Sequence, residues 1–553
     1  MTFELANQSA GTLSVSPKEM PITDPLAITL VWTAADMGVK TGGCIRFQVP
    51  QAFPNPQITS PIQPAFCRVS CSREDVRLSL SLTREGSPKD SAYVTIWGKS
   101  IYVNVLSGEL TSGDTVTLYY GATASVCKET FAYIDPTPAP FFSGRHFFSV
   151  AVDPDGTRSA EFSGMTRSLD RPEIIVLPGE VVSTKHIECL RGTADITLDR
   201  QGNPIQTVWG PKTSPYHCKS GHQICFGDIH CHSEYSDGLW TPNDCYSFAR
   251  DTIGLDFCAV TDHVVQMSDD EWEKTIDTNR KWHEDGKFIT LVGYELNYPG
   301  IGDKNIYYPG ESGLLLRDRV WETGEPIDPH SHVKNWLSQG AIMMAHLHAG
   351  NLSKFYVPEL CRLVEIYSNW GNCERFGAQP TFIPSLRQNF DGQWAANALD
   401  LGWKIAFTGN SDDHMARPGW SGWHRVERVY HGGLTAVYTS EPTRKGIFEA
   451  LKERHTYATS GTRIIVEATM NGKLPGTEFV PTGDLCISYY LKDVCQIEKI
   501  ELIHNGGTVQ TRVVNGNEAA GEFLCAQNDG NYYLRITQLN GHHAWTSPWY
   551  VGK

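Results

Sequence analysis

Six short clusters of imidazole and carboxylate residues mark the middle of this 553-residue chain. They are Asp228-Ile-His230-Cys-His232 with Ser236-Asp237-Gly238, Thr261-Asp262-His263, Gly293-Tyr-Glu295, Ala345-His346-Leu-His348, Glu365-Ile-Tyr367, and Gly409-Asn-Ser-Asp412-Asp413-His414. Two histidines at i and i+2 of an extended segment share one face and can chelate one ion. A lone histidine at a strand end is ordinarily a satisfied polar residue, but six successive clusters are not explained by solvated loops. Imidazoles and carboxylates gathered together repel or compete for protons unless cations neutralise them. Divalent ions lower the pKa of bound water from about 15.7 toward 7. Hydroxide held there would attack an electrophilic carbon or phosphorus, with no Ser or Cys nucleophile. Cys231 alternates away from its two histidine neighbours and is expected to pack.

The surrounding pattern alternates strand and helix. Phe226–His230, Leu255–Val260, Phe288–Val292, Ala341–Ala345 and Lys404–Phe407 read as strands. Between them lie a helix opened by Thr241-Pro242 and others carrying Trp272 and Ile276, Val333 to Leu337, and Ala395 to Leu399; a last one bears Ile447, Phe448 and Leu451. Alternation of this kind implies parallel strands with crossovers, whose carboxyl ends converge on a site. Residues before and after read as short strands, among them Leu26–Trp32, Tyr93–Trp97, Ile101–Val105, Val116–Tyr120, Ile464–Ala468 and Cys486–Tyr490. The proline-rich stretch 135–140 reads as a stiff loop. The expected organisation is a β-sandwich-like domain at 1–221, an α/β domain at 222–460 and a β domain at 461–553.

Lys and Arg number 47 against 62 Asp and Glu, a net charge of −15. Such a chain repels phosphate backbones, so no nucleic-acid partner is expected. No basic, apolar leader opens it and no stretch of about 18 apolar residues occurs. Fifteen cysteines without such a leader indicate free thiols in a reducing compartment. A cytoplasmic protein without a membrane partner is therefore expected. Cys67 and Cys71 have the spacing of half a zinc knuckle but no partner pair follows. Association of copies is an expectation from the aromatic-rich β segments.

The ordered motifs HxH, SDG, TDH, GxE, a strand-end His and SDxH resemble the PHP (polymerase and histidinol phosphatase) superfamily of metallohydrolases over roughly residues 222–460. Gly293-Tyr-Glu295 with Gly302-Asp-Lys-Asn-Ile-Tyr-Tyr308, Arg454-His-Thr-Tyr-Ala-Thr-Ser-Gly461 and Ala544-Trp-Thr-Ser-Pro-Trp549 resemble its branch that includes carbaryl hydrolase. The resemblance implies a distorted (β/α)7 barrel flanked by β-rich segments, binding two or three divalent ions, usually Zn, Mn or Fe. Carried over by motif, His230, His232, Glu295 and Asp412 would hold one metal. Asp237, His263 and His414 would hold a second, and Glu295 with His346 a third where one exists. That branch tends to have Gly-His where this chain has Gly302-Asp303, so Asp303 either keeps the third site through oxygen or the site is lost.

Asp228 and Asp262 either orient neighbouring imidazoles or make local turn contacts. Asp413 reads as a loop residue. His348 is a candidate proton donor to a leaving group, or a surface histidine beside Gly350. A phosphate dianion would need donors such as Lys304, Arg375, Arg417 or Arg425, with Arg417 the foremost. The motif loops are richer in Tyr235, Trp240, Tyr294, Tyr298, Tyr367, Trp370, Trp420 and Trp423, which suits an apolar or aryl ligand. The expected activity is therefore hydrolysis of a small-molecule carbamate or carboxylic ester. A phosphoesterase and a non-catalytic metal-containing binding protein are the alternatives.

Overall fold

The computed structural model describes residues 10–552 except 22–26, 51–52, 55, 60–64, 83–98, 122–143, 157–165, 168–169, 171, 178–182, 190–191, 199–203, 210–215, 239–240, 299–300, 319, 321–324, 348–353, 380–393, 415 and 420–431. The expected strand Tyr93–Trp97 and the proline-rich loop thus lie outside the described residues. The chain divides into two compact units, the first running to Lys185 and taking in Ile196–Val208, the second comprising His186–Asp195, Trp209–Gly422 and Tyr430–Lys553.

In the first unit, alternating strands build two larger antiparallel sheets beside smaller ones. One has the order Thr12–Ser16, Ile28–Thr33, Thr115–Tyr120, Cys67–Cys71; the other runs Thr166–Arg167, Ser149–Asp153, Cys44–Val49, Lys99–Ser107, Arg77–Ser81. Leu30, Trp32 and Leu118 of the first share one apolar core with Phe47, Ile101, Val103 and Val150 of the second. Cys67 and Cys71 belong to none of the ligand groups found among the described residues.

The second unit positions the histidine clusters. Its strands are β1 (Gln223–Asp228), β2 (Phe257–Cys258), β3 (Ile289–Thr290), β4 (Val292–Tyr298), β5 (Gly302–Tyr308), β6 (Ile342–Ala345), β7 (Cys361–Ser368), β8 (Ala406–Gly409), β9 (Leu434–Thr439) and β10 (Thr456–Thr459). They continue as β11 (Ile465–Met470), β12 (Leu485–His504), β13 (Gly507–Cys525), β14 (Gly530–Gln538), β15 (His543–Thr546) and β16 (Trp549–Val551). Helices are α1 (Pro242–Ser247), α2 (Asp269–Trp282), α3 (Val333–Ser338), α4 (Ala395–Asp400) and α5 (Arg444–Lys452). Local chemistry starts them: Thr241 and Ser268 close capping boxes with Asp244 and Glu271, each satisfying two otherwise unpaired donors. The apolar stripe Ile447, Phe448, Leu451 seats α5 in a cluster with Phe257 of β2, Tyr307 of β5, Met344 of β6 and Leu363 of β7.

Parallel pairing joins β1 to β2, β6 to β7 and β7 to β8. β5 departs from the expected alternation: it runs antiparallel to both β4 and β6. Beyond the regular strands, Glu295 N–H bonds Asp262 O at 3.0 Å and Thr261 N–H bonds Cys231 O at 2.8 Å. Asp412 N–H reaches His230 O at 2.8 Å and His232 N–H reaches Asp413 O at 2.7 Å. These bonds close β1, β2, β4, β5, β6, β7 and β8 into a ring, with the ends of β1 and β8 side by side.

The expected boundary at 460/461 does not separate two bodies. One sheet runs β3-β2-β1-β9-β10-β15-β14-β12-β11, so strands placed in a C-terminal domain extend the sheet that begins at the ring. The reason is hydrogen bonding: β10 pairs with β9 on one side and β15 on the other. The unit also begins before the expected residue 222, because Tyr216–His217 pairs with β1. Among the described residues no helix is long and apolar enough to cross a membrane.

Candidate metal centre

Just past β1 the chain stays extended, so His230 and His232 face inward and Cys231 turns back, its thiol donating to Ala259 O at 3.4 Å. Both imidazoles are fully buried, with their Nε2 atoms 3.3 Å apart. Glu295 Oε2 lies 3.3 Å from His230 Nε2 and 3.2 Å from His232 Nε2. Asp412 Oδ1 lies 3.3 Å and 3.1 Å from the same two atoms. Zn–N and Zn–O bonds of about 2.0–2.1 Å in a tetrahedral site put neighbouring ligands about 3.3 Å apart. Each triangle, His230/His232/Glu295 and His230/His232/Asp412, therefore has the edges of one face of such a site.

A second group adjoins the first. Asp237 Oδ1 lies 3.3 Å from His414 Nε2, 3.7 Å from His263 Nε2 and 3.9 Å from His232 Nδ1. His232 and His414 stack with centroids 4.1 Å apart. His263 links the groups, since its Nδ1 is 3.1 Å from Glu295 Oε2. The loop carrying Asp237 is tied by Asp262, which accepts Ser233 N–H at 2.7 Å, Ser233 Oγ–H at 2.5 Å and Ser236 Oγ–H at 2.6 Å. It returns so closely that a Cβ on Gly238 would sit 2.5 Å from His232 O.

Hydrogen bonds at the far ring nitrogens set the tautomers. His414 Nδ1 is 2.9 Å from the carbonyl of Asp412, an acceptor only, so Nδ1 carries the proton and Nε2 offers a lone pair. His230 Nδ1 likewise faces Glu365 Oε1 at 3.0 Å. Asp412 adopts the left-handed region at φ +50°, which costs a non-glycine residue about 1–3 kcal/mol. Its amide bonds His230 O and its carbonyl accepts Asn369 Nδ2–H at 2.9 Å. The Trp370 indole N–H donates to Asp412 Oδ2, leaving Oδ1 to the histidines.

Electrostatics make the cluster demand positive charge. Burial pushes the Glu295 carboxyl up, but His263 and His230 outweigh it and hold it well below the carboxylate range. Asp412 is held low the same way, by His230 and His232 against burial. Burial lowers His232, yet its hydrogen bonds to Asp412 and Glu295 push it up to about 10. Every described ion-pair partner of Glu295, Asp412 and Asp237 is an imidazole. Glu295 Oε1 is buried without a hydrogen bond. Nitrogen and oxygen donors with this spacing fit first-row divalent ions, and among the described residues three groups could hold one: His230/His232/Glu295, His232/Asp237/His263/His414 and His230/His346/Glu365.

The remaining expected residues fare differently. His346 joins His230 and Glu365 rather than Glu295. Its Nδ1 bonds Glu365 Oε2, and its Nε2 is 3.7 Å from Asp412 Oδ2. Asp303 enters none of the three groups. Burial, with Glu295 close by, pushes its carboxyl up to about 7, against His346 and a hydrogen bond from Asn297. Asp228 and Asp262 serve as backbone and loop acceptors: Asp228 takes His230 N–H and Ser411 N–H at 3.1 Å each and Gly419 N–H at 2.6 Å. Arg417 is buried at the turn after His414, where its backbone N–H meets Asp413 Oδ2. His348, Arg425, Trp240, Trp420 and Trp423 lie outside the described residues. Tyr235, Tyr294 and Tyr298 are buried members of an apolar core cluster. Sequence reasoning placed Glu365 among the clustered acids without singling it out and counted Trp370 as a ligand-lining aromatic; it gave Asn369 and Asn410 no role.

Residues 389–472 match the family described as "Protein of unknown function (DUF3604)". Uncharacterised proteins of Chlamydia muridarum and Chlamydia trachomatis are 27% and 28% identical over 386 residues, 61% of this chain and 59% of theirs. A Chlamydia pneumoniae protein is 26% identical over 383 residues. The chain thus spans about three-fifths of the length of these relatives. Among solved structures, a two-domain Bacteroides vulgatus protein containing a predicted PHP-like metal-dependent phosphoesterase is 16% identical. The match covers 60% of this chain and 94% of that one with a TM-score of 0.33, too low to argue from.

Proposed function

We propose that the second unit is a metal-dependent hydrolase with a PHP-type barrel, cleaving an ester-type bond in a small molecule. The observation that carries the reading is the pair of triangles in which Glu295 and Asp412 each stand 3.1–3.3 Å from the Nε2 atoms of both His230 and His232. Divalent ions bound there would supply Lewis acidity and a water acidic enough to react at neutral pH. The chain's part is to hold the donors. Asp412 is aimed by Trp370, His414 is locked by a carbonyl, and the Asp237 loop is fastened by Asp262.

A carbamate or carboxylic ester is favoured over a phosphate. Lys304, one of the cations beside the motifs, donates to the carbonyls of Ile301 and Asp303 at 3.2 and 3.3 Å. A phosphate dianion calls for charged donors of its own. The test is a panel of p-nitrophenyl acetate, aryl N-methylcarbamates and p-nitrophenyl phosphate with added Zn or Mn, together with elemental analysis of protein purified without chelator. Turnover of the acetate or a carbamate, abolished in His230→Ala, is expected. Turnover of phosphate alone would transfer the reading to a phosphoesterase, with Arg417 as the first residue to mutate. Bound ions without turnover of any of the three would leave a non-catalytic metal-containing binding protein.

A further inference from the structure

Glu365 sits on β7, 2% exposed, and divides its two oxygens between imidazoles from different strands. Oε1 faces His230 Nδ1 at 3.0 Å and accepts Asn410 Nδ2–H at 2.8 Å; Oε2 meets His346 Nδ1. A carboxylate only accepts, so both rings must carry a proton on Nδ1, which leaves Nε2 as the atom through which each could bind an ion. For His230 that atom is the one shared with His232, Glu295 and Asp412. The His230 and His346 rings meet edge to face with centroids 4.7 Å apart, so one carboxylate fixes the rotation of both. Asn410 fixes the carboxylate in turn: its Oδ1 accepts Ile229 N–H at 3.1 Å and Thr435 Oγ–H at 3.0 Å, anchoring it to the chain beside His230.

We propose that Glu365 is not a ligand but the positioning residue of the metal centre, one carboxylate that sets tautomer and orientation for His230 and His346 together. The inference rests on the metal-centre reading above. The competing role is direct coordination within the group His230/His346/Glu365; because Glu365 Oε1 faces Nδ1 of His230, that ion would engage Nδ1 instead of Nε2.

Glu365→Gln is the discriminating variant, because an isosteric amide keeps the packing while opposing one N–H of the two rings with its own NH2. In the full-length protein, Zn(II) per chain is counted by elemental analysis and affinity is measured by competition with a chromophoric chelator. The d–d spectrum of the Co(II)-loaded protein reports ligand geometry, and circular dichroism reports folding. The expected result is unchanged Zn(II) stoichiometry, affinity 10–100-fold weaker and an altered Co(II) spectrum. Unchanged affinity and spectrum would overturn the positioning role while wild-type metal content left the centre standing. Loss of one ion per chain with the others unaffected would make Glu365 a ligand, also overturning it. Absence of bound Zn(II) in the wild type would instead overturn the metal-centre reading itself. Should the variant not fold, histidine-selective 15N spectra of the Zn(II)-loaded wild type decide: a protonated Nδ1 on His230 supports the proposal, and a metal-shifted Nδ1 refutes it.

Discussion

Asp262 separates two ways a carboxylate beside a candidate ligand can act. Its side chain touches no imidazole; its three acceptor contacts are to Ser233 N–H, Ser233 Oγ–H and Ser236 Oγ–H. In Asp262→Ala the two hydroxyls can rotate to other acceptors, but the buried Ser233 amide cannot. One stranded donor costs about 1–3 kcal/mol. In Asp262→Asn the amide oxygen can keep the bonds to Ser233 N–H and Ser236 Oγ–H. Its NH2 would point at Ser233 Oγ, which can accept, so the loss should stay under about 1 kcal/mol. Urea unfolding measures this: with m near 3 kcal/mol/M, a 2 kcal/mol loss moves the midpoint by about 0.7 M. The alanine variant should also hold less metal, because Ser236 Oγ stands 3.4 Å from His232 Nδ1 and the same loop carries Asp237. If Asn proves as damaging as Ala, the negative charge of Asp262 matters and the loop-fastening account is wrong.

Two further outcomes follow from the same geometry. With an ion at 1,000 times its Kd, each occupied site adds about 4 kcal/mol to the stability of the folded unit; a chelator should lower the urea midpoint of the wild type and lower that of His230→Ala by less, because the group His232/Asp237/His263/His414 does not use His230, and equal wild-type midpoints would contradict a bound metal. His543 supplies the pH dependence: burial, abetted by Arg535 and Lys499 against Glu374, brings it down to about 4 from an ordinary 6.5. The unfolded chain then binds the extra proton between pH 6.5 and 4, so stability falls on acidification through that window by at most roughly 3 kcal/mol. His543→Asn should flatten that part of the wild-type curve, and parallel curves would show that His543 titrates normally.

The ligand-type residues were legible where alternation alone decides orientation. His230 and His232 share a face because they are two apart in extended chain, and Thr241-Pro242 starts a helix by local chemistry. Glu295 was placed at a strand end, but β4 runs on through Leu296, Asn297 and Tyr298 and turns back as β5. Helix crossovers were expected around it, whereas β4 and β5 pair antiparallel. Asp228 and Asp262 look alike in sequence, each just before a histidine. Asp228 makes the local contact to His230 N–H, but its other partners, Ser411 and Gly419, lie 183 and 191 residues away, beyond any local pattern. Glu365 is the same problem at larger scale: its role depends on β1 and β6 presenting rings to one carboxylate, an adjacency the ring of strands creates.

The C-terminal strands show why composition misplaced a boundary. Their alternating pattern is that of any half-buried antiparallel sheet, which says nothing about which edge they continue. The deciding contacts are few and polar. Ser547 Oγ accepts Phe407 N–H at 3.0 Å and meets Thr456 Oγ at 2.7 Å, while Tyr550 OH bonds both N–H and C=O of Ile405 at 2.7 Å. Ile405 and Phe407 lead directly into Gly409-Asn-Ser-Asp412. The backbone that must hold Asp412 in a strained left-handed turn is thus fastened from behind by residues some 140 positions later in the chain. Strain at a site persists only where surrounding structure over-determines it. Residues after 460 are therefore part of the apparatus that keeps Asp412 facing His230 and His232.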